Sequence, residues 1–159
     1  MILAVVTISD RCARGQMTDT AGPAVAALLK AAWPEAEIAT RLISDDEEQI
    51  AGTLLDLCAM GSSLVLTAGG TGLGPRDRTP EATRQVIDRE APGLAEAMRA
   101  TTAAINPYAW LSRGIAGLKG ETLIVNLPGS ERGATECFTA VGPLIRHGLD
   151  VIKGGTKHP

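Results

Sequence analysis

Aromatic residues are scarce in this chain of 159 residues: two Trp, one Tyr and one Phe. Lys and Arg number 15 against 18 Asp and Glu, for a net charge of −3, and no stretch gathers the cations into a run. A basic groove with stacking rings is therefore missing, which argues against nucleic acid as a partner. Histidine is nearly absent, with only His147 and His158, both near the C-terminal end. Any catalysis is then expected to rest mostly on carboxylates, cations or backbone groups, since imidazole is the commonest general base. The three cysteines, Cys12, Cys58 and Cys137, form no CxxC pair. That argues against a disulfide framework or a zinc site and suits a reducing compartment. The apolar start, MILAVVTISD, has no basic leader region and is too short to span a bilayer. It reads as a first strand, and the protein is expected to be cytoplasmic and away from membranes.

What is present alternates between two periods. Apolar, β-branched runs at Ile2–Ser9, Glu37–Ile43, Leu64–Thr67, Gly114–Leu118 and Thr122–Leu127 read as strands. Helical spacing follows in Thr20–Ala32, in a segment from Glu47 to about Met60, from Pro80, in Leu94–Thr102 and in Ala134–Leu149. Cys12–Met17 is expected to be a loop. Ser44 with Glu47 fits a capping box, and Thr79 before Pro80 reads as an N-cap. Pro92-Gly93 reads as a helix break and Gly142-Pro143 as a kink or break. Lys119-Gly120 joins the last two strands as a hairpin, adding antiparallel pairing to a mostly parallel sheet. The fold class is α/β, a three-layer α/β/α sandwich. One domain is expected over 1–152, followed by a polar tail at 153–159.

Chemistry gathers at strand ends, where open α/β sheets bind ligands. The richest stretch is GGTGLGPRDRTPEA, Gly69–Ala82. Its bare backbone reads either as a place where N–H groups approach a phosphate or carboxylate closely or as a tight turn between strand and helix. It is no Walker A loop, because Pro75 stands where Lys belongs, and the GxGxxG fingerprint fails as well. A nicotinamide-dependent dehydrogenase is disfavoured on that ground. Asp77 lies between Arg76 and Arg78. It reads either as a carboxylate aimed at a metal or substrate, with arginines for phosphate, or as part of a surface salt-bridge cluster. Asp45 and Asp46 precede a helix, where acids also complement the helix dipole. Ser9-Asp10-Arg11 and Asn126-Leu127-Pro128-Gly129-Ser130 are two further polar strand ends, each a cleft rim or a plain turn.

These segments together resemble the molybdenum-cofactor biosynthesis domain family. The carriers are the glycine stretch, TISDRCARGQMTDTAG (Thr7–Gly22), RLISDDEEQI (Arg41–Ile50), PGLAEAMR (Pro92–Arg99) and LIVNLPGS (Leu123–Ser130), in the family's order along nearly the whole chain. Ser44 stands where the family usually has proline. The resemblance implies an α/β/α fold and a homotrimer. Within the family it is strongest to the members that move AMP from ATP to the terminal phosphate of molybdopterin and release pyrophosphate. By position it implies Asp45 and Asp77 as catalytic residues and Mg²⁺ ligands. It sets Ser9, Gly70, Thr71, Gly72, Ser112, Asn126, Pro128 and Gly129 on the substrates, with the molybdenum-insertion protein as a further partner. The residue inventory agrees, because a phosphate oxygen is already anionic at neutral pH and needs no base to activate it. The competing expectation is a non-catalytic paralogue that binds or scaffolds the pterin.

Overall fold

In a computed structural model, residues 1–155 are described; most of the expected tail, with His158, lies outside them. In chain order the elements are β1 (Ile2–Ile8), α1 (Asp10–Ala13), α2 (Ala21–Ala32), β2 (Glu37–Ile43), α3 (Glu47–Ala59), β3 (Ser62–Ala68) and α4 (Thr79–Val86). Then come β4 (Arg89–Glu90), α5 (Pro92–Ala103), a 3-10 turn (Pro107–Leu111), β5 (Ala116–Lys119), β6 (Thr122–Leu127) and α6 (Glu131–Ile152). The six strands form one sheet in the order β2-β1-β3-β6-β5-β4. The first four run parallel, and β5 and β4 add antiparallel pairs at the β6 edge.

The central strands are apolar along their length because both faces are covered. Alternate residues separate into two cores. Leu3, Val5, Leu64, Leu66, Leu123 and Val125 pack under α2, α5 and α6. Ala4, Val6, Val65 and Ile124 pack under α3 and α4. This is the expected three-layer α/β/α sandwich.

Several local expectations are corrected. The loop at Cys12–Met17 begins inside α1, which Ser9 caps by accepting from the Cys12 amide at 3.3 Å. Asp46, not Ser44, caps α3, accepting from the Gln49 amide at 2.8 Å; the Ser44 hydroxyl instead donates to Gln49 Oε1. Thr79 opens α4 rather than capping it, because its buried hydroxyl donates to the Gly69 carbonyl at 2.8 Å. Pro92-Gly93 starts α5 instead of breaking a helix, proline being tolerated in a first turn. Helix α6 runs 22 residues straight through Pro143. Proline removes the N–H that would bond the carbonyl four residues back, at Thr139, and that residue is exposed, so the lost bond falls on the outer side of the helix. The apolar stripe Ala134, Cys137, Phe138, Val141, Ile145 and Leu149 then holds the helix on the sheet.

Candidate active site

The order of strands places the cleft. The chain passes from β1 outward to β2, then returns to lay β3 on the other side of β1. Loops leaving the C-terminal ends of β1 and β3 therefore diverge, which opens a crevice at a topological switch point. The β3 loop begins with Gly69 (φ 117°) and Gly70 (φ 64°), both in the left-handed region. A Cβ at Gly69 would overlap the Ile8 carbonyl of β1, and one at Gly70 would overlap Thr79 Oγ1 and lie 3.2 Å from Asp45 Oδ1. Gly129, after β6, would bring a Cβ to 3.1 Å from the Gly69 α-carbon. Three strand ends thus meet backbone to backbone, and side chains are excluded from the floor.

Asp77 folds back over this floor. It follows a turn, its amide donating to the Gly74 carbonyl at 3.0 Å, and its Oδ2 accepts from the Gly74 amide at 2.8 Å. That oxygen lies 2.9 Å from where a Gly72 Cβ would stand. The flanking arginines are engaged elsewhere. Arg76 grips both oxygens of Asp10 at 3.0 Å, and Arg78 Nε donates to Glu47 at 2.7 Å. Of the two readings of this cluster, the arginines follow the salt-bridge one: they make two ties, one from the loop to α1 and one to α3.

Asp45 and Asp46, adjacent in sequence, separate in space. Asp46 is the exposed cap of α3. Asp45 faces the glycine floor and is locked to Asp10: the Asp10 amide donates to Asp45 Oδ2 at 2.8 Å and the Asp45 amide to Asp10 Oδ1 at 3.1 Å. This symmetry follows from register. Ile8 pairs with Ile43 across β1 and β2, and each is followed by Ser-Asp. Burial raises the Asp45 carboxyl above its ordinary pKa, and the charges of Asp10 and Asp77 push the same way against the Asp10 amide. The Arg76 hydrogen bond holds Asp10 low, against its partial burial.

Two cavities share this floor. The larger, about 690 Å³, lies over the β1 and β2 ends and is bordered by Ser9, Asp10, Asp19, Asp45 and Glu131. The smaller, about 400 Å³, extends toward α5 and the 3-10 turn and is bordered by Met98, Arg99, Tyr108, Ser112 and Glu136. Gly70, Asp77, Gly129 and Ser130 border both. Each of the ten residues expected at the site lines one or both cavities: Ser9 and Asp45 the larger, and Thr71, Gly72, Ser112, Asn126 and Pro128 the smaller. Asn126 differs in kind. Its amide nitrogen donates to Thr67 at 3.1 Å and Thr83 at 3.0 Å, and its carbonyl accepts from the Ile115 amide at 3.2 Å. Its polar atoms knit β6 to β3, α4 and the residue that leads into β5.

Sequence reasoning passed over Arg113, Glu81 and Arg99. Arg99 donates to the Gly114 carbonyl at 2.9 Å beside Ser112. Arg113 has no local partner, since its bonds go to backbone carbonyls and to Glu81 in α4, whereas Glu81 and Arg99 lie within stretches that carry the family resemblance. Asp10 did carry a signal: the tripeptide Ile-Ser-Asp occurs at 8–10 and again at 43–45.

A two-lobed cleft, floored by glycine and bordered by carboxylates, thus lies at the switch point of an α/β/α sandwich, the place where open α/β sheets take their ligands. A family model described as a probable molybdopterin binding domain matches residues 4–147, and the chain belongs to that family. It is 37% identical over 154 residues to a molybdopterin adenylyltransferase of Helicobacter pylori (strain J99), covering 96% of this chain and 88% of that protein. It is 38% identical over 149 residues to the molybdenum cofactor synthesis protein cinnamon of Drosophila melanogaster, covering 93% of this chain but only 25% of cinnamon. The crystal structure of the molybdopterin biosynthesis enzyme MoaB from Thermus thermophilus superposes with a TM-score of 0.88 at 46% identity, covering 96% of each chain. Among the described residues no helix is long and apolar enough to cross a membrane.

Proposed function

We propose that this protein acts in molybdenum cofactor biosynthesis by transferring AMP from ATP to the terminal phosphate of molybdopterin. One observation carries the reading: two cavities meet across a wall made of Gly70, Asp77, Gly129 and Ser130, so two ligands bound side by side would touch at that wall. The Helicobacter relative, named for this activity and matched over most of both chains, supports it. In the reaction a phosphate oxygen of molybdopterin attacks the α-phosphorus of ATP. The bond from that phosphorus to the β-phosphate oxygen breaks, and pyrophosphate leaves with the electron pair. No proton has to be removed, in keeping with a cleft without histidine.

The nucleotide belongs in the larger cavity, beside Ser9 and Asp45, and the pterin in the smaller, beside Ser112, Thr71 and Pro128. The chain's contribution is to hold the two phosphates in line and to limit water around them. Asp45 Oδ1 lies 3.2 Å from the place of a Gly70 Cβ and Asp77 Oδ2 2.9 Å from that of a Gly72 Cβ, so two carboxylates border one glycine loop. That donor set fits Mg²⁺, which takes one or two carboxylates and fills its remaining positions with phosphate oxygens and water. Bound there, Mg²⁺ would offset the charge of the triphosphate. A homotrimer and hand-over to a molybdenum-insertion protein belong to the same reading and rest on the family resemblance.

The test is AMP transfer to purified molybdopterin with Mg²⁺ and ATP, read as pyrophosphate release, for wild type and Asp77→Asn. The amide oxygen introduced by that substitution retains the bond from the Gly74 amide, so the fold stays intact while turnover falls by about a hundredfold or more. Undiminished turnover in the variant would remove Asp77 from the mechanism. A wild type that binds the pterin and transfers nothing would make the protein a binding module.

A further inference from the structure

Arg113 borders neither cavity, yet it makes more bonds to the glycine loop than any residue that does. Its amide donates to the Thr71 carbonyl at 2.8 Å. Its guanidinium donates through Nε to the Gly72 carbonyl at 2.8 Å and through Nη2 to the Asp77 carbonyl at 2.6 Å. The remaining face of the fork meets the carboxylate of Glu81, in the first turn of α4. One rigid planar group therefore spans the loop from its glycine end to its carboxylate end and ties both to a helix. In a trans peptide the N–H points opposite to the carbonyl. With the carbonyls of Thr71 and Gly72 turned toward Arg113, the amides of Gly72 and Leu73 point away from it, on the loop whose Thr71 and Gly72 border the pterin-side cavity. Glu81 is held below the ordinary carboxylate range, first by its hydrogen bond with Arg113, so the clamp is charged and closed at neutral pH.

We infer that Arg113, oriented by Glu81, is a positioning residue that fixes the glycine-loop amides and Asp77 relative to each other. The inference rests on the adenylyl-transfer reading for its catalytic consequence, and on hydrogen bonding alone for its structural one. A lysine in this place keeps the charge but offers no planar fork, so it cannot reach both carbonyls and the carboxylate together.

The experiment pairs hydrogen exchange with kinetics in Arg113→Lys and Glu81→Gln. Exchange read across residues 70–78 is expected to quicken by about tenfold in Arg113→Lys while β1 and β3 exchange as in wild type, since the opening is local. In the transfer assay kcat is expected to fall by about a hundredfold with KM for molybdopterin little changed, the signature of lost alignment rather than lost binding. Glu81→Gln, which leaves both carbonyl bonds in place, should show both effects in the same direction and smaller, and it carries the test if the lysine variant fails to fold. Wild-type exchange in the loop of a folded variant, or wild-type kcat, overturns the proposal. Faster loop exchange in a protein whose wild type transfers no AMP would refute the transfer reading and leave the clamp standing.

Discussion

Replacing Gly70 by alanine separates two costs that the structure makes distinct. Gly70 has a φ of 64°, which costs a side-chain-bearing residue about 1–2 kcal/mol. Its new Cβ would also overlap Thr79 Oγ1, the donor of a 2.8 Å bond to the Gly69 carbonyl inside the protein. Displacing that hydroxyl strands a buried carbonyl, worth about 1–3 kcal/mol more. Together the loss comes to about 2–5 kcal/mol. Gly15 supplies the control, because its φ is 70° and no atom lies within 4 Å of a Cβ there. Gly15→Ala should therefore cost only the backbone part, about 1–2 kcal/mol. Urea unfolding of both variants gives the difference directly. AMP transfer should also fall in Gly70→Ala, because the added methyl stands 3.2 Å from Asp45 Oδ1. If Gly70→Ala proves no more damaging than Gly15→Ala, the contact between the glycine floor and Thr79 is not what holds the loop.

Two further outcomes follow from polar contacts away from the floor. Asn126→Ala should destabilise by about 2–4 kcal/mol, since it removes the partner of two threonine hydroxyls and of the Ile115 amide at one stroke, and urea unfolding measures it. The pair formed by Glu81 and Arg113 makes a prediction about acid. The folded-state pKa of Glu81 is lowered from 4.5, so its stabilisation is fully present above that value and drains away as pH falls through the lower, folded one. The stability gap between wild type and Glu81→Gln, from melts at a series of pH values, should be constant near neutrality and narrow below pH 4.5. A gap that widens with acid would mean the carboxylate is not the stabilising form.

The layers of this protein could be read from its sequence because they depend on local period. Continuous apolar runs gave β1, β3 and β6, and Gly120, with φ 56°, closes the β5–β6 hairpin where its residue type suggested. The glycine stretch was legible as a place of close backbone approach for a similar reason: six consecutive positions carry few side chains, and Gly69 and Gly70 have positive φ. Features set by distant neighbours were not. The two residues of β4 form a strand only because β5 lies beside them. Asp46 displaces Ser44 as the cap of α3 because Asp45 is drawn toward Asp10, thirty-five positions away. Pro143 leaves α6 unbroken with the freed carbonyl on an exposed residue, Thr139, a matter of which side of the helix the sheet takes. Arg113 carries no mark in the chain at all, since its partners on the loop are carbonyls, which every residue possesses.

All the chemistry described here sits along one rim of the sheet, where β1, β2, β3 and β6 end. The opposite rim carries the β5–β6 turn, where Glu121, beside Gly120, is exposed. A label, a tether or a grafted segment placed at that turn would stand a full strand length from the cleft. Holding the molecule by that end leaves the whole cleft rim uncovered.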